Sequence, residues 1–412
     1  MGIGQWVGIA ASLVAVALPE TANAQDSAVT QTGGQLSPAH YERALLVRER
    51  AIEYLLSQQD DATGGWRVPE RGPAFPAITG LVLIGLTGDP AGPIEPMSTR
   101  EGPAKRGFDF VLSNIQPDGG IYDAILANYN TAISLAALPR SDDPAARAAI
   151  PAAQAFLKRL QYHEDAADNL PGEVRRVDAS HPFYGGVGYG GSGRPDGSNM
   201  HMFMWGLEAS GVDHTDPAVQ RAIAFLERIQ MDDRVNDMDY AEGSRQGGFI
   251  YATGPTGDQA GVGESKAGTI EETLSDGSTA SRLRAYGSMT YAGFKSYAYA
   301  KLPADDVRVA AAWDWIRRNY TLAENPGIGT DGFYYYMLTF ARALDATGEP
   351  TIDTVAPDGS TERVNWANDL VDRLADLQRG DGSFRVLDDR WMENDPVLIT
   401  AYCLVALGEV LD

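Results

Sequence analysis

The chain has 412 residues, 44% of them apolar and 22% charged, a globular composition that excludes a disordered or collagen-like protein. Lysine and arginine number 33 against 56 aspartates and glutamates, a formal charge of −23, and so acidic a surface repels phosphate backbones and argues against nucleic-acid binding. The single cysteine, Cys403, excludes an intrachain disulfide and a cysteine-rich zinc site; between Tyr402 and Leu404 it reads as a buried, unreactive thiol.

Residues 1–24 read as a secretory signal peptide. An apolar run over 8–18 is too short to span a membrane, and Thr21-Ala22-Asn23-Ala24 ends in a small-x-small cleavage pattern. An uncleaved N-terminal anchor is the alternative. Export to the periplasm or beyond is therefore expected, with 25–39 as a flexible lead-in and no other segment apolar enough to cross a bilayer.

From residue 40 onward a phrase recurs: an aromatic, an aliphatic, then Gln, a Gly turn with a hydrophobic residue after it, and an apolar helix. The first unit, near 50–86, reads Tyr54-Leu55…Gln59, Gly64-Gly65-Trp66, helix 76–86. The second, near 107–138, has Phe110-Val111…Gln116, one residue long, then Gly119-Gly120-Ile121 and helix 128–138. The third, near 152–209, has Phe156-Leu157…Gln161, Gly185-Gly186-Val187 and helix 199–209. The fourth, near 221–300, has Phe225-Leu226…Gln230, Gly247-Gly248-Phe249 and helix 286–300. In the fifth, near 310–344, Tyr320 replaces Gln before Asp331-Gly332-Phe333 and helix 333–344. The sixth, near 367–407, has Arg373-Leu374…Gln378, Asp381-Gly382-Ser383-Phe384 and helix 395–407.

The first helix of each pair is amphipathic, as in 221–230 with Ile223, Phe225, Leu226 and Ile229 on one stripe. The second is apolar nearly all round and must be enclosed by protein. A closed ring of six pairs satisfies both, which predicts an all-α (α/α)6 toroid as one domain over 40–412.

The recurring phrase resembles the QW repeat of squalene-hopene and oxidosqualene cyclases, shared with protein prenyltransferase β subunits. Arg50-Ala51…Tyr54-Leu55…Gln59…Gly64-Gly65-Trp66 carries the likeness in full. The resemblance implies a single-toroid, exported, cyclase-like bacterial protein with an isoprenoid or other apolar ligand in its central cavity. Its catalytic motifs are missing. No Asp-x-Asp-Asp occurs, and before Thr131-Ala132 stand Ala127, Tyr129 and Asn130 where the acids belong. The prenyltransferase zinc stretches read Asp331-Gly332-Phe333-Tyr334 and Ile399-Thr400-Ala401-Tyr402-Cys403-Leu404, keeping only Asp331, so no metal or other cofactor is expected.

In a toroid the starts of the inner helices converge on one end of the cavity. That convergence nominates Tyr122, Asn130, Asn199, Tyr286, Tyr291, Tyr334, Tyr335 and Asn394 as ligand-binding residues, in company with Asp123, Asn128, Ser198 and Ser288. His201 is the candidate for acid–base work, with a core histidine as the plain alternative, and Asp331 with Asp395 are a candidate carboxylate pair. Ser198, Asn199, Asn394 and Asp395 also suit helix caps.

Three further features have bland readings. Gly186-Val187-Gly188-Tyr189-Gly190-Gly191 matches a dinucleotide fingerprint but lacks a helix directly after it. The acidic stretch 232–242 reads as a solvated loop, with calcium as the alternative. The insertion 252–283 is a lid or a surface excursion. Two other functions stay open: a non-catalytic envelope interaction scaffold, and a carbohydrate-active enzyme, glycosidase or lyase, on an α/α toroid.

Overall fold

A computed structural model describes residues 36–69, 72–88, 97–166, 176–190 and 193–411; the signal peptide expected at 1–24 and lead-in residues 25–35 lie outside them. Among the described residues the chain forms twelve α-helices that alternate in burial. The odd-numbered set is α1 (Pro38–Ser57), α3 (Gly102–Ser113), α5 (Pro144–Arg159), α7 (Pro217–Ile229), α9 (Val307–Arg318) and α11 (Trp366–Leu377). Each buries one face. Five of them start from a cap whose side chain accepts a backbone N–H: Ser37 from His40 (3.4 Å), Asp143 from Ala145 (2.8 Å), Asp216 from Ala218 (2.9 Å), Asp306 from Arg308 (2.9 Å) and Asn365 from Asn368 (2.9 Å).

The even-numbered set is α2 (Pro76–Thr87), α4 (Ala127–Ala137), α6 (Gly197–Ala209), α8 (Gly287–Tyr299), α10 (Phe333–Asp345) and α12 (Pro396–Leu411). Every residue of α2 is buried, and the other five are buried along nearly their whole length. These six lie where the sequence placed its apolar helices, with α12 running on to Leu411. Each packs against the even-numbered helices before and after it, and α12 returns to pack against α2. The odd-numbered α1 lies against α11 and α12, joining the first of the described helices to the last pair.

The recurring glutamines explain how neighbouring pairs hold together. Gln161 is wholly buried, and its Nε2 donates to Gly185 O in its own turn and to Ala218 O in α7, both at 2.9 Å. Its Oε1 accepts from Arg221 Nε at 2.9 Å. Gln59 donates likewise to Gly64 O (2.7 Å) and Pro103 O (2.9 Å), and Gln230 to Gly247 O (2.9 Å) and Arg308 O (2.8 Å). Gln378 donates to Gly382 O (3.2 Å) and to Val47 O of α1 (2.8 Å), which ties the last turn to the first helix. Gln116, one residue out of step, bonds only within its own turn, to Asn114 O and Tyr122 O.

The glycines allow the close approach. Gly185 has φ +79°, and a Cβ there would sit 1.9 Å from Arg221 O; at Gly382 (φ +88°) it would sit 2.2 Å from Arg50 O. Only a residue without a side chain lets these turns press on the next helix's backbone.

Three antiparallel hairpins decorate the helices: β1 (Gln230–Asp232) with β2 (Arg245–Phe249), β3 (Thr269–Thr273) with β4 (Thr279–Leu283), and β5 (Ile352–Val355) with β6 (Thr361–Val364). The 252–283 insertion thus carries its own hairpin. It is pinned by the Glu272 carboxylate, which accepts from Arg245 N (2.6 Å) and Gln246 Nε2 (2.8 Å). The acidic stretch is ion-paired rather than merely solvated. Asp232, with no exposed surface, meets Arg234 and Arg245; Asp233 pairs with Arg245 (2.8 Å) and Asp237 with Arg228 (3.0 Å). Among the described residues no group of three or more His, Cys, Asp or Glu could hold a metal ion, and no helix is long and apolar enough to cross a membrane.

Candidate ligand cavity

A cavity of about 560 Å³ lies at the N-terminal ends of the even-numbered helices, within the roughly 300–1,000 Å³ of small-molecule sites. Phe75, Ala77, Ile78 and Leu81, in and just before α2, give an aliphatic wall that Ile133 and Leu398 extend. Six tyrosines complete the lining: Tyr129, Tyr189, Tyr251, Tyr286, Tyr335 and Tyr402. Tyr129 and Tyr189 stack with ring centroids 5.6 Å apart, and the Tyr189 and Tyr251 hydroxyls meet at 3.3 Å. The Tyr251 ring lies under Arg194 (5.1 Å) and Lys266 (4.6 Å). Burial pushes the phenols of Tyr129, Tyr251, Tyr286, Tyr335 and Tyr402 far above their usual range, so they keep their protons.

The rim is apolar and strained. Ile125, Leu126, Trp391 and Met392 line it while exposing 53%, 38%, 42% and 41% of their surface. Leu126, Trp391 and Met392 have φ of 53°, 56° and 67°, a left-handed backbone costly for large side chains.

Glu393 is the one carboxyl on the lining. It is 2% exposed, and its two oxygens accept from Tyr334 N (3.0 Å) and Tyr335 N (2.8 Å) at the start of α10. Burial raises its pKa to about 7; the two backbone N–H groups pull it down and Asp388 adds to the rise.

Of the residues nominated from sequence, Asn130, Tyr286 and Tyr335 line the cavity, joined by Ser198 and Ser288. The others do not. Tyr122 stacks on Phe156 and donates to Asp118 (2.8 Å). Asn199 is buried between Asp196, the α6 cap, and Asn128. Tyr291 packs on Tyr336 and Phe340, the Tyr334 hydroxyl donates to Arg385 O, and Asn394 is exposed. Asp331 is paired with Arg390, while Asp395 accepts from Val397 N (2.9 Å) at the start of α12, so each carboxylate has a structural partner of its own.

His201 lies off the cavity but bonds to its wall: Nδ1 meets the Tyr335 hydroxyl at 2.8 Å, and Nε2 meets Arg342 Nη1 at 3.2 Å. Guanidinium can only donate, so Nε2 is the acceptor and Nδ1 carries the hydrogen that it gives to Tyr335. Burial first, then Arg342 and Lys295, hold the ring's pKa well below its usual value. The neutral ring is therefore favoured, with its Nδ1 hydrogen committed to the Tyr335 hydroxyl. Arg342 also meets Glu208 (3.5 Å) and Glu409 (3.3 Å) and lies 4.0 Å over Trp205. Lys295 pairs with Glu208 (2.8 Å), so this charged set fills the C-terminal ends of α6, α8, α10 and α12 around a recess of about 320 Å³.

Tyr189, Tyr251 and Glu393 escaped the sequence reading because they sit in irregular segments. Tyr189 belongs to the glycine-rich run, which is irregular backbone through Gly190 with α6 opening only at Gly197; Gly191 lies outside the described residues. An acid next to Trp391-Met392 was the available signal for Glu393.

No protein-family model and no curated protein matches the chain. Among solved structures it is similar to the type II terpene cyclase MstE from Scytonema in complex with geranylgeranyl dihydroxybenzoate, at 14% identity over 91% of this chain and 99% of that one, with a TM-score of 0.49. A protein from Actinoplanes is 17% identical over 90% and 100% of the two chains, TM-score 0.44. A wild-type glycosidase is 15% identical over 91% and 99%, TM-score 0.44.

Proposed function

We propose that the chain is an exported (α/α)6 double ring of six helix-pair units, akin to the squalene-hopene cyclases in architecture, that binds an isoprenoid or similar apolar molecule in its central cavity. The observation that carries this reading is the 560 Å³ cavity, walled by aliphatic and tyrosine side chains. Native mass spectrometry of the full chain, with and without added farnesol, tests it. One equivalent retained, and displaced when Ile78→Trp fills the wall, is the expected result. No retention of farnesol or of any co-purified apolar molecule would refute it.

Glu393 favours a chemical role in the same cavity. With its pKa at about 7 it carries a proton in a good share of molecules at neutral pH and faces an apolar ligand. A proton given to an alkene carbon and taken back from a neighbouring one leaves the ligand's formula unchanged, so isomerisation or cyclisation is the reaction class this acid suits. Incubation with polyprenyl alcohols followed by mass spectrometry should show an isomeric product. In Glu393→Gln that product should fall by about 10²–10⁴-fold while binding persists; equal turnover would remove Glu393 from the chemistry.

A further inference from the structure

The tyrosine wall does more than supply area. Tyr286 is 1% exposed and Tyr402 9% exposed, both line the cavity, and neither hydroxyl has a hydrogen-bond partner among the described residues. The hydroxyl of Tyr129, on the same wall, has none either. None of the three oxygens is fully enclosed by protein, so each hydroxyl opens onto the cavity and is placed to donate to a ligand atom there. Tyr335 differs in a way that sharpens the point. His201 donates to its oxygen, so the hydroxyl's own hydrogen is left to be given elsewhere.

These four phenols come from α4, the start of α8, α10 and α12, whereas α2 and the segment before it bring none. In the circuit of even-numbered helices α8 is the member farthest from α2. The cavity thus grades from hydrocarbon alone at α2, through α4 and α12, which bring both kinds of side chain (Ile133 and Tyr129, Leu398 and Tyr402), to hydroxyl donors at the start of α8 and on α10. A pure hydrocarbon would match only the α2 end of that gradient.

We infer that the ligand is amphipathic, an aliphatic chain seated against α2 with an oxygen-bearing head whose acceptor atoms take hydrogen bonds from Tyr129, Tyr286, Tyr335 and Tyr402. The inference rests on the apolar-ligand reading above and narrows its substrate class. A sugar, polar on all its edges, would leave the aliphatic wall unmatched.

The test compares two probes with one chain: farnesylbenzoquinone, with two carbonyl acceptors, and farnesylbenzene, with none. Titration calorimetry on the full-length protein should find the quinone bound at least about tenfold more tightly, two net hydrogen bonds' worth. Tyr286→Phe and Tyr402→Phe remove only an unpartnered hydroxyl, so both variants should fold. Each should cut the quinone preference about three- to tenfold and leave farnesylbenzene binding unchanged. Equal affinity for the two probes, or a preference that survives both substitutions, overturns the inference while the apolar cavity stands. Failure of both probes to bind overturns the apolar-ligand reading and this inference with it.

Discussion

Replacing Glu393 by Gln converts its burial into a measurable dependence of stability on pH. Unfolded, the carboxyl has its ordinary pKa of 4.5; folded, it lies at about 7. Below 4.5 the group is protonated in both states and costs the fold nothing. As pH rises the unfolded chain gives up its proton first, so stability falls, and the loss is complete once pH passes about 7. At 1.36 kcal/mol per pKa unit the span is about 3 kcal/mol. Gln is neutral throughout and forfeits part of the bonding from Tyr334 N and Tyr335 N, an offset that does not vary with pH. Urea unfolding of both proteins from about pH 4 to pH 8 therefore isolates the titration. Wild type minus Glu393→Gln should decline by about 3 kcal/mol across that range. A difference flat to within about 0.5 kcal/mol would show that Glu393 is not held protonated and would end its candidacy as a proton donor.

Other perturbations test how adjacent helix pairs are joined. Gln161→Ala strands the carbonyls of Gly185 and Ala218 and the Arg221 guanidinium, and should cost about 2–4 kcal/mol in chemical denaturation; a loss under 1 kcal/mol would mean water replaces the amide. Gly185→Ala and Gly211→Ala meet similar backbone angles, φ +79° and +82°, but only the first has a neighbour within 4 Å. Gly211→Ala should cost about 1 kcal/mol and Gly185→Ala at least about 3 kcal/mol in the same assay, and equal losses would deny the close approach.

The helices were legible because burial on all sides leaves a plain mark: a dozen successive residues of α2 without a charge admit no exposed face. Gln59, Gln161, Gln230 and Gln378 were legible as a pattern, though only coordinates reveal that each holds two carbonyls at once. The cavity was half legible. Asn130, Tyr286 and Tyr335 stand at or near helix starts, and helix starts can be counted from sequence. Glu393 could not be placed that way, because the left-handed turn at Trp391 and Met392 folds it back onto the start of α10, and nothing in the local residue types announces such a reversal. His201 illustrates a different limit. Its neighbours in sequence are Met200 and Met202, and the partners that fix its charge and tautomer are 134 and 141 residues away.

The bond from Gln378 to Val47 has a bearing on how the molecule comes apart. An open stack of helical units loosens from its terminal members, each of which has a neighbour on one side only. Here the first and last helices are neighbours, so no unit is terminal and none has a free flank from which fraying could spread. Heat or denaturant must breach a joint between two units, losing both of its faces in one step, before anything else can peel away. The chain should therefore lose its structure in one concerted event, and the cavity walled by all six even-numbered helices should vanish with the first breach rather than widen by degrees.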